Sequence, residues 1–134
     1  MDACSLALNL NTLSSPYTTG IPESVRPRAL ACGDGARVQV FKYVLAAGYS
    51  ITIGPASRTR MAHALHMGGA CPGTQPLRCS ATQATAMTYY NDRDAAVTLY
   101  YHVIDQHAWI PQTFTIEWKV QGTPIIPYAQ CTRT

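Results

Sequence analysis

Apolar and polar residues alternate with a period of two along most of the chain. The clearest run is Thr113 to Gln121, where Phe114, Ile116, Trp118 and Val120 interleave with Thr115, Glu117 and Lys119. Such a period sends successive side chains to opposite faces of an extended backbone, so the run predicts a half-buried strand. The same alternation recurs at Leu6, Leu8 and Leu10, at Tyr49, Ile51 and Ile53, and at Val97, Leu99, Tyr101 and Val103 against Thr98, Tyr100 and His102. Across Val38, Val40, Phe41, Tyr43 and Leu45 the period slips by one residue, which predicts either a β-bulge or a strand buried on both faces. Arg60 to Met67 competes as a short helix, but Met61, His63, Leu65 and Met67 alternate and Gly68-Gly69 ends the run, so it reads as a strand.

Turn-forming clusters separate these runs: Gly33-Asp34-Gly35, Ala47-Gly48, Gly54-Pro55, Gly68-Gly69, Cys71-Pro72-Gly73 and Asn91-Asp92. About eight or nine short strands without helical crossovers predict an all-β, antiparallel two-sheet sandwich of jelly-roll or immunoglobulin-like kind. No internal repeat interrupts it. Residues 1–121 form the expected sandwich domain, and 122–134 form a tail in which Gly122, Pro124 and Pro127 break up Ile125, Ile126 and Tyr128 before Cys131. A solvated linker is normally polar, so this tail is expected to dock on its own sandwich or on a neighbouring subunit.

A chain of 134 residues has the length of one domain that can bury a core unaided. Its net charge of +3 comes from arginines scattered along the sequence and interrupted by acids, which argues against nucleic acid as a partner, since displacing counterions from phosphate needs clustered cations. No apolar run approaches the length of a spanning helix, so no membrane insertion is expected. Met1-Asp2-Ala3-Cys4 carries neither a charged n-region nor an apolar h-region, so the sequence reads as a mature or trimmed form.

Five cysteines change the picture more than charge does. None of their spacings is C-x-x-C, so zinc ribbons and thioredoxin-like redox sites drop out and a disulfide framework remains. Disulfides persist in oxidising compartments, which places the protein outside the cell or on its surface.

With the strands laid out, a set of short motifs stands in order: Cys4-Ser5-Leu6-Ala7-Leu8, Thr18-Thr19-Gly20, Cys32 ahead of Val40-Phe41-Lys42-Tyr43, Gly48 to Ile53, Gly68-Gly69-Ala70-Cys71-Pro72-Gly73, Cys79, Leu99 to Val103, and Phe114 to Trp118. The pattern resembles the bacterial pre-peptidase C-terminal domains and their extracellular jelly-roll relatives over residues 4 to 120. The resemblance implies pairing of Cys4 with Cys32 and of Cys71 with Cys79, leaving Cys131 over. Relatives that bind calcium use clustered carboxylates after the fourth cysteine, where this chain has Ser80-Ala81-Thr82. Asn91, Asp92 and Asp94 are the remaining candidates, but Arg93 in their midst opposes a cation and the tetrad reads as a solvated turn. No metal or cofactor is expected.

The four histidines give no catalytic pattern. His63 and His66, three apart, fall on opposite faces of a strand and cannot pinch one metal, while His102 and His107 flank Asp105 without a third ligand at a recognisable spacing. Neither G-x-S-x-G nor H-E-x-x-H occurs, so the chain is not expected to be an enzyme. Tyr89-Tyr90 and Tyr100-Tyr101 each send one ring to either sheet face. Tyr90, Tyr100 and the loop residue Trp109 are therefore the candidate binding aromatics. Cys131 is expected to bridge to another chain, with Ile125, Ile126 and Tyr128 as intermolecular contacts. The expected function is an extracellular structural module that self-associates into a surface assembly or filament with copies of itself. The alternative is a module of a secreted hydrolase that targets carbohydrate or matrix protein.

Overall fold

The alternating runs assemble into nine strands in a computed structural model that describes residues 3–21, 37–56, 61–80, 86–105 and 113–122. They are β1 (Leu8–Asn9), β2 (Tyr17–Gly20), β3 (Arg37–Leu45), β4 (Tyr49–Pro55), β5 (Met61–Met67), β6 (Gln75–Ser80), β7 (Met87–Tyr90), β8 (Val97–Asp105) and β9 (Thr113–Gly122). A five-stranded sheet has the order β1-β3-β8-β5-β6 and a four-stranded sheet the order β2-β9-β4-β7. Successive strands change sheet at every connection except β5 to β6, so β2 to β9 wind as a jelly roll. All pairs are antiparallel but one: β1 runs parallel to β3.

The core lies between the sheets, where Phe41, Leu65 and Tyr101 meet Ile51, Ile53, Phe114 and Ile116. Phe41 packs edge-on against Phe114 across the two layers at 6.1 Å, joining them through one aromatic contact. Full burial of each large side chain contributes about 1.5–3 kcal/mol.

Sequence and structure part at two places, and at a third one of the two expected readings holds. The Leu6, Leu8, Leu10 alternation is a two-residue strand between 3-10 turns at Ala3–Leu6 and Leu10–Thr12. Asn9 closes the first turn of the second of these by accepting from the Asn11 N–H at 3.0 Å, so Leu10 reaches the core from a turn. The slipped period of β3 is not a bulge. It pairs with β8 in unbroken register from Arg37 to Leu45, and Val38, Val40 and Phe41 are all buried because both faces of its first half are covered. The ladder shifts instead between β5 and β6, at Leu65/His66.

Candidate functional site

The outer face of the five-stranded sheet is a second, smaller core. Its cross-strand rows read Lys42, Tyr100, His66, Pro76; then Val40, His102, Ala64, Cys79; then Val38, Ile104, Ala62. The turn Ala3–Leu6 and residues 68–74 cover this face, with Ala3, Ala7 and Cys71 packed on Val38, Val40, Ala62, Ala64, Tyr100 and Ile104. A disulfide between Cys4 and Cys71, 67 residues apart in sequence, ties the two covering segments together. The cover depends on glycine. Gly68, Gly69 and Gly73 have positive φ, and a Cβ at Gly73 would stand 2.6 Å from the Cβ of His66.

His66 and His102 lie beneath it, diagonal neighbours on β5 and β8 with exposures of 4% and 0%. Their rings meet edge-on at 4.6 Å. No hydrogen bond reaches Nδ1 of His66 or either ring nitrogen of His102. Burial lowers the pKa of both. For His102 the neighbouring His66 adds to the fall, the Pro72 carbonyl acts in the opposite direction, and the result is about 3 against an ordinary 6.5. For His66 the Gly73 backbone partly offsets burial. Both imidazoles are therefore neutral at pH 7.

His63 takes the opposite face, as its spacing from His66 predicts, and enters the main core. Its Nδ1 and the Tyr101 hydroxyl are 2.7 Å apart, and the rings stack edge to face at 5.5 Å. Burial lowers the His63 pKa and raises that of Tyr101. Ser80 lies opposite His63 in the β5–β6 ladder. Among the described residues no three of His, Cys, Asp and Glu group to hold a metal.

Several expected site residues fall elsewhere. Tyr100 is not a surface aromatic: the cover leaves it 6% exposed and its hydroxyl donates to the Gly69 carbonyl at 3.0 Å. Tyr90 is 54% exposed at the end of β7. The pairing implied by the resemblance is replaced, because Cys4 joins Cys71 and not Cys32; Cys79 is also disulfide-bonded, to a partner outside the described residues. Asn91 is buried and structural. Its amide donates to the Leu45 and Ala95 carbonyls at 3.0 and 2.9 Å and its oxygen accepts from the Arg93 N–H, which commits it to the turn and not to a calcium ion. Trp109, His107, Cys32, Ile125, Ile126, Tyr128 and Cys131 lie outside the described residues, as does the tail beyond Gly122.

The solvent-facing side of the four-stranded sheet is polar, with hydroxyl pairs between Thr18 and Thr115 at 2.6 Å and between Thr52 and Thr88 at 2.9 Å. Beside them is a depression of about 240 Å³ lined by Ser15, Pro16, Thr52, Gly54, Pro55, Ala86, Glu117, Trp118 and Lys119. Gly54 lets Ala86 come so close that a Cβ there would stand 2.7 Å from the Ala86 Cα, and Glu117 and Lys119 rise beside the two from β9. Ser15 is held over it by accepting from the Trp118 N–H at 2.9 Å. Prolines beside two charges and a hydroxyl give both an apolar rest and polar groups.

No family model and no curated protein matches this chain. Among solved structures it is similar to the pre-peptidase C-terminal domain of collagenase from Bacillus anthracis, at 12% identity over 86% of this chain and 92% of that one, with a TM-score of 0.38. The description of the fold rests on the strand order itself.

Proposed function

We propose that the chain is an extracellular, non-catalytic module that binds carbohydrate in the depression on the four-stranded sheet. The depression between Gly54, Glu117 and Lys119 is the observation that carries this reading. A sugar ring presents an apolar face and a rim of hydroxyls, which suits Pro16 and Pro55 beside Thr52, Glu117 and Lys119. The described surface also offers little for apolar association. Val44 and Tyr90 are the large hydrophobic residues exposed there. The disulfides support an oxidising location. Affinity electrophoresis against soluble polysaccharides tests the reading. Retardation by one glycan, lost in a Glu117→Gln/Lys119→Ala variant of unchanged fold, is expected; equal mobility of wild type and variant in every glycan refutes it.

Self-association is the second reading, favoured by one observation. Cys4, Cys71 and Cys79 are all in disulfides, which leaves an odd cysteine among five to bridge chains. In this reading Cys131, with Ile125, Ile126 and Tyr128, supplies the contact. A dimer band that disappears with reductant, and oligomers lost on removing residues 122–134, are expected; a monomer under both conditions rejects it.

A further inference from the structure

We propose that His66 and His102 form an acid-operated latch: protonating the pair releases Ala3–Leu6 and residues 68–74 from the outer face of the five-stranded sheet, while the Cys4–Cys71 disulfide keeps the two covering segments joined. The device is independent of the carbohydrate reading.

The geometry gives a proton on this pair little to offset the loss of water. The rings touch edge-on at 4.6 Å, so a charge on one faces the other imidazole. From β8, Tyr100 has its hydroxyl committed to the Gly69 carbonyl, and from β3 the charged group in the same row is Lys42, a cation. From β6 come Pro76 and Cys79, the latter in a disulfide, as is Cys71 in the cover. Ala3–Leu6 carries no acid. Among the described residues no carboxylate faces the pair, and the Pro72 and Gly73 backbone offsets burial only in part, so full solvation of the imidazolium needs water, which enters when the cover leaves.

The cover is built to move as a unit. Residues 68–74 hold their own shape through Gly73 N–H to Ala70 carbonyl at 2.8 Å and Thr74 N–H to Gly68 carbonyl at 3.0 Å, while Gly68 N–H to Thr98 carbonyl at 2.9 Å, the Tyr100 hydroxyl to Gly69 and the Gln39 amide to the Leu6 carbonyl at 3.2 Å tie the cover to the sheet. Lifting the cover breaks these ties and leaves the internal bonds, and the glycines at both ends of 68–74 supply the backbone freedom.

Linkage sets the size of the effect. The closed state holds His102 neutral and the open state lets it titrate near 6.5, so each pH unit below that value raises the opening constant about tenfold, and the lowered pKa of His66 acts in the same direction. Between pH 7.5 and 4.5 the open population is expected to grow at least about a hundredfold through His102.

Nuclear magnetic resonance of the oxidised wild-type chain across that range tests the latch. Exchange broadening or new shifts at the amides of Gly68, Gly69 and Gly73, with Val40 and Ala64 following and the β4 and β9 amides unchanged, is expected. A His66→Gln/His102→Gln variant is expected to lose the pH response. Persistence of that response in the variant, or imidazole carbons in the wild type that titrate at the ordinary value with the cover amides still, overturns the proposal. Should the double variant not fold, the wild-type imidazole titration decides alone.

Discussion

The side-chain amide of Asn11 makes a reciprocal pair with the backbone of Val44: its nitrogen donates to the Val44 carbonyl at 3.2 Å and its oxygen accepts the Val44 N–H at 2.8 Å. One side chain thus continues the ladder that β1 begins on β3 at Leu8 and Asn9, and closes an edge the two-residue strand leaves open. Asn11→Ala is expected to cost about 1–2 kcal/mol and to raise concentration-dependent association, since Val44 is exposed beside the unpaired edge. Urea melts and light scattering at several concentrations check both; unaltered scattering would mean that the edge needs no guard.

Tyr101→Phe removes the hydroxyl beside His63 Nδ1 while keeping the ring that packs on Phe41. A loss of about 1–3 kcal/mol is expected from the stranded imidazole nitrogen, more than the methylene-scale change in packing would give. Pairing it with His63→Phe in a double-mutant cycle isolates the contact, and additive losses would show that the two groups do not interact.

Gly73→Ala is expected to destabilise by about 1–3 kcal/mol, because φ is +97° and the new Cβ meets His66 at 2.6 Å and Tyr100 at 3.1 Å. The loss should be concentrated in the cover. Hydrogen exchange faster at residues 68–74 and unchanged in β4 and β9 is the expected readout.

Global stability is expected to fall as pH drops below about 6.5. The folded His102 has a pKa lowered to about 3, so the unfolded chain binds protons that the folded chain refuses throughout the interval between those values, and above it the residue contributes nothing to pH dependence. Urea midpoints at pH 7.5, 6 and 4.5 should decline for the wild type and more gently for His102→Gln. Parallel declines would assign the effect to other groups.

Much of the sandwich was legible because alternation is a local property. Phe114, Ile116, Trp118 and Val120 state which face of β9 is buried without reference to any other strand. The odd and even positions of β5 likewise separate His63 from His66. Tyr100 shows the limit. Its parity puts it on the outer face, and the inference that an outer face is wet fails because a disulfide-tied segment 30 residues upstream covers it. The contact of His66 with His102 was hidden for a related reason, since it follows from the register between β5 and β8, which neither strand encodes alone. The depression is equally a matter of register, since Gly54 lies opposite Glu117 and against Ala86.

The Cys4–Cys71 bond encloses β1 to β5 in one covalent ring, along with the loops between them. A peptidase that nicks any exposed loop inside that ring severs the backbone but frees no fragment, and the cut ends stay in place for the sheets to retain. Damage of this sort would be survivable: the fold would outlast its own cleavage.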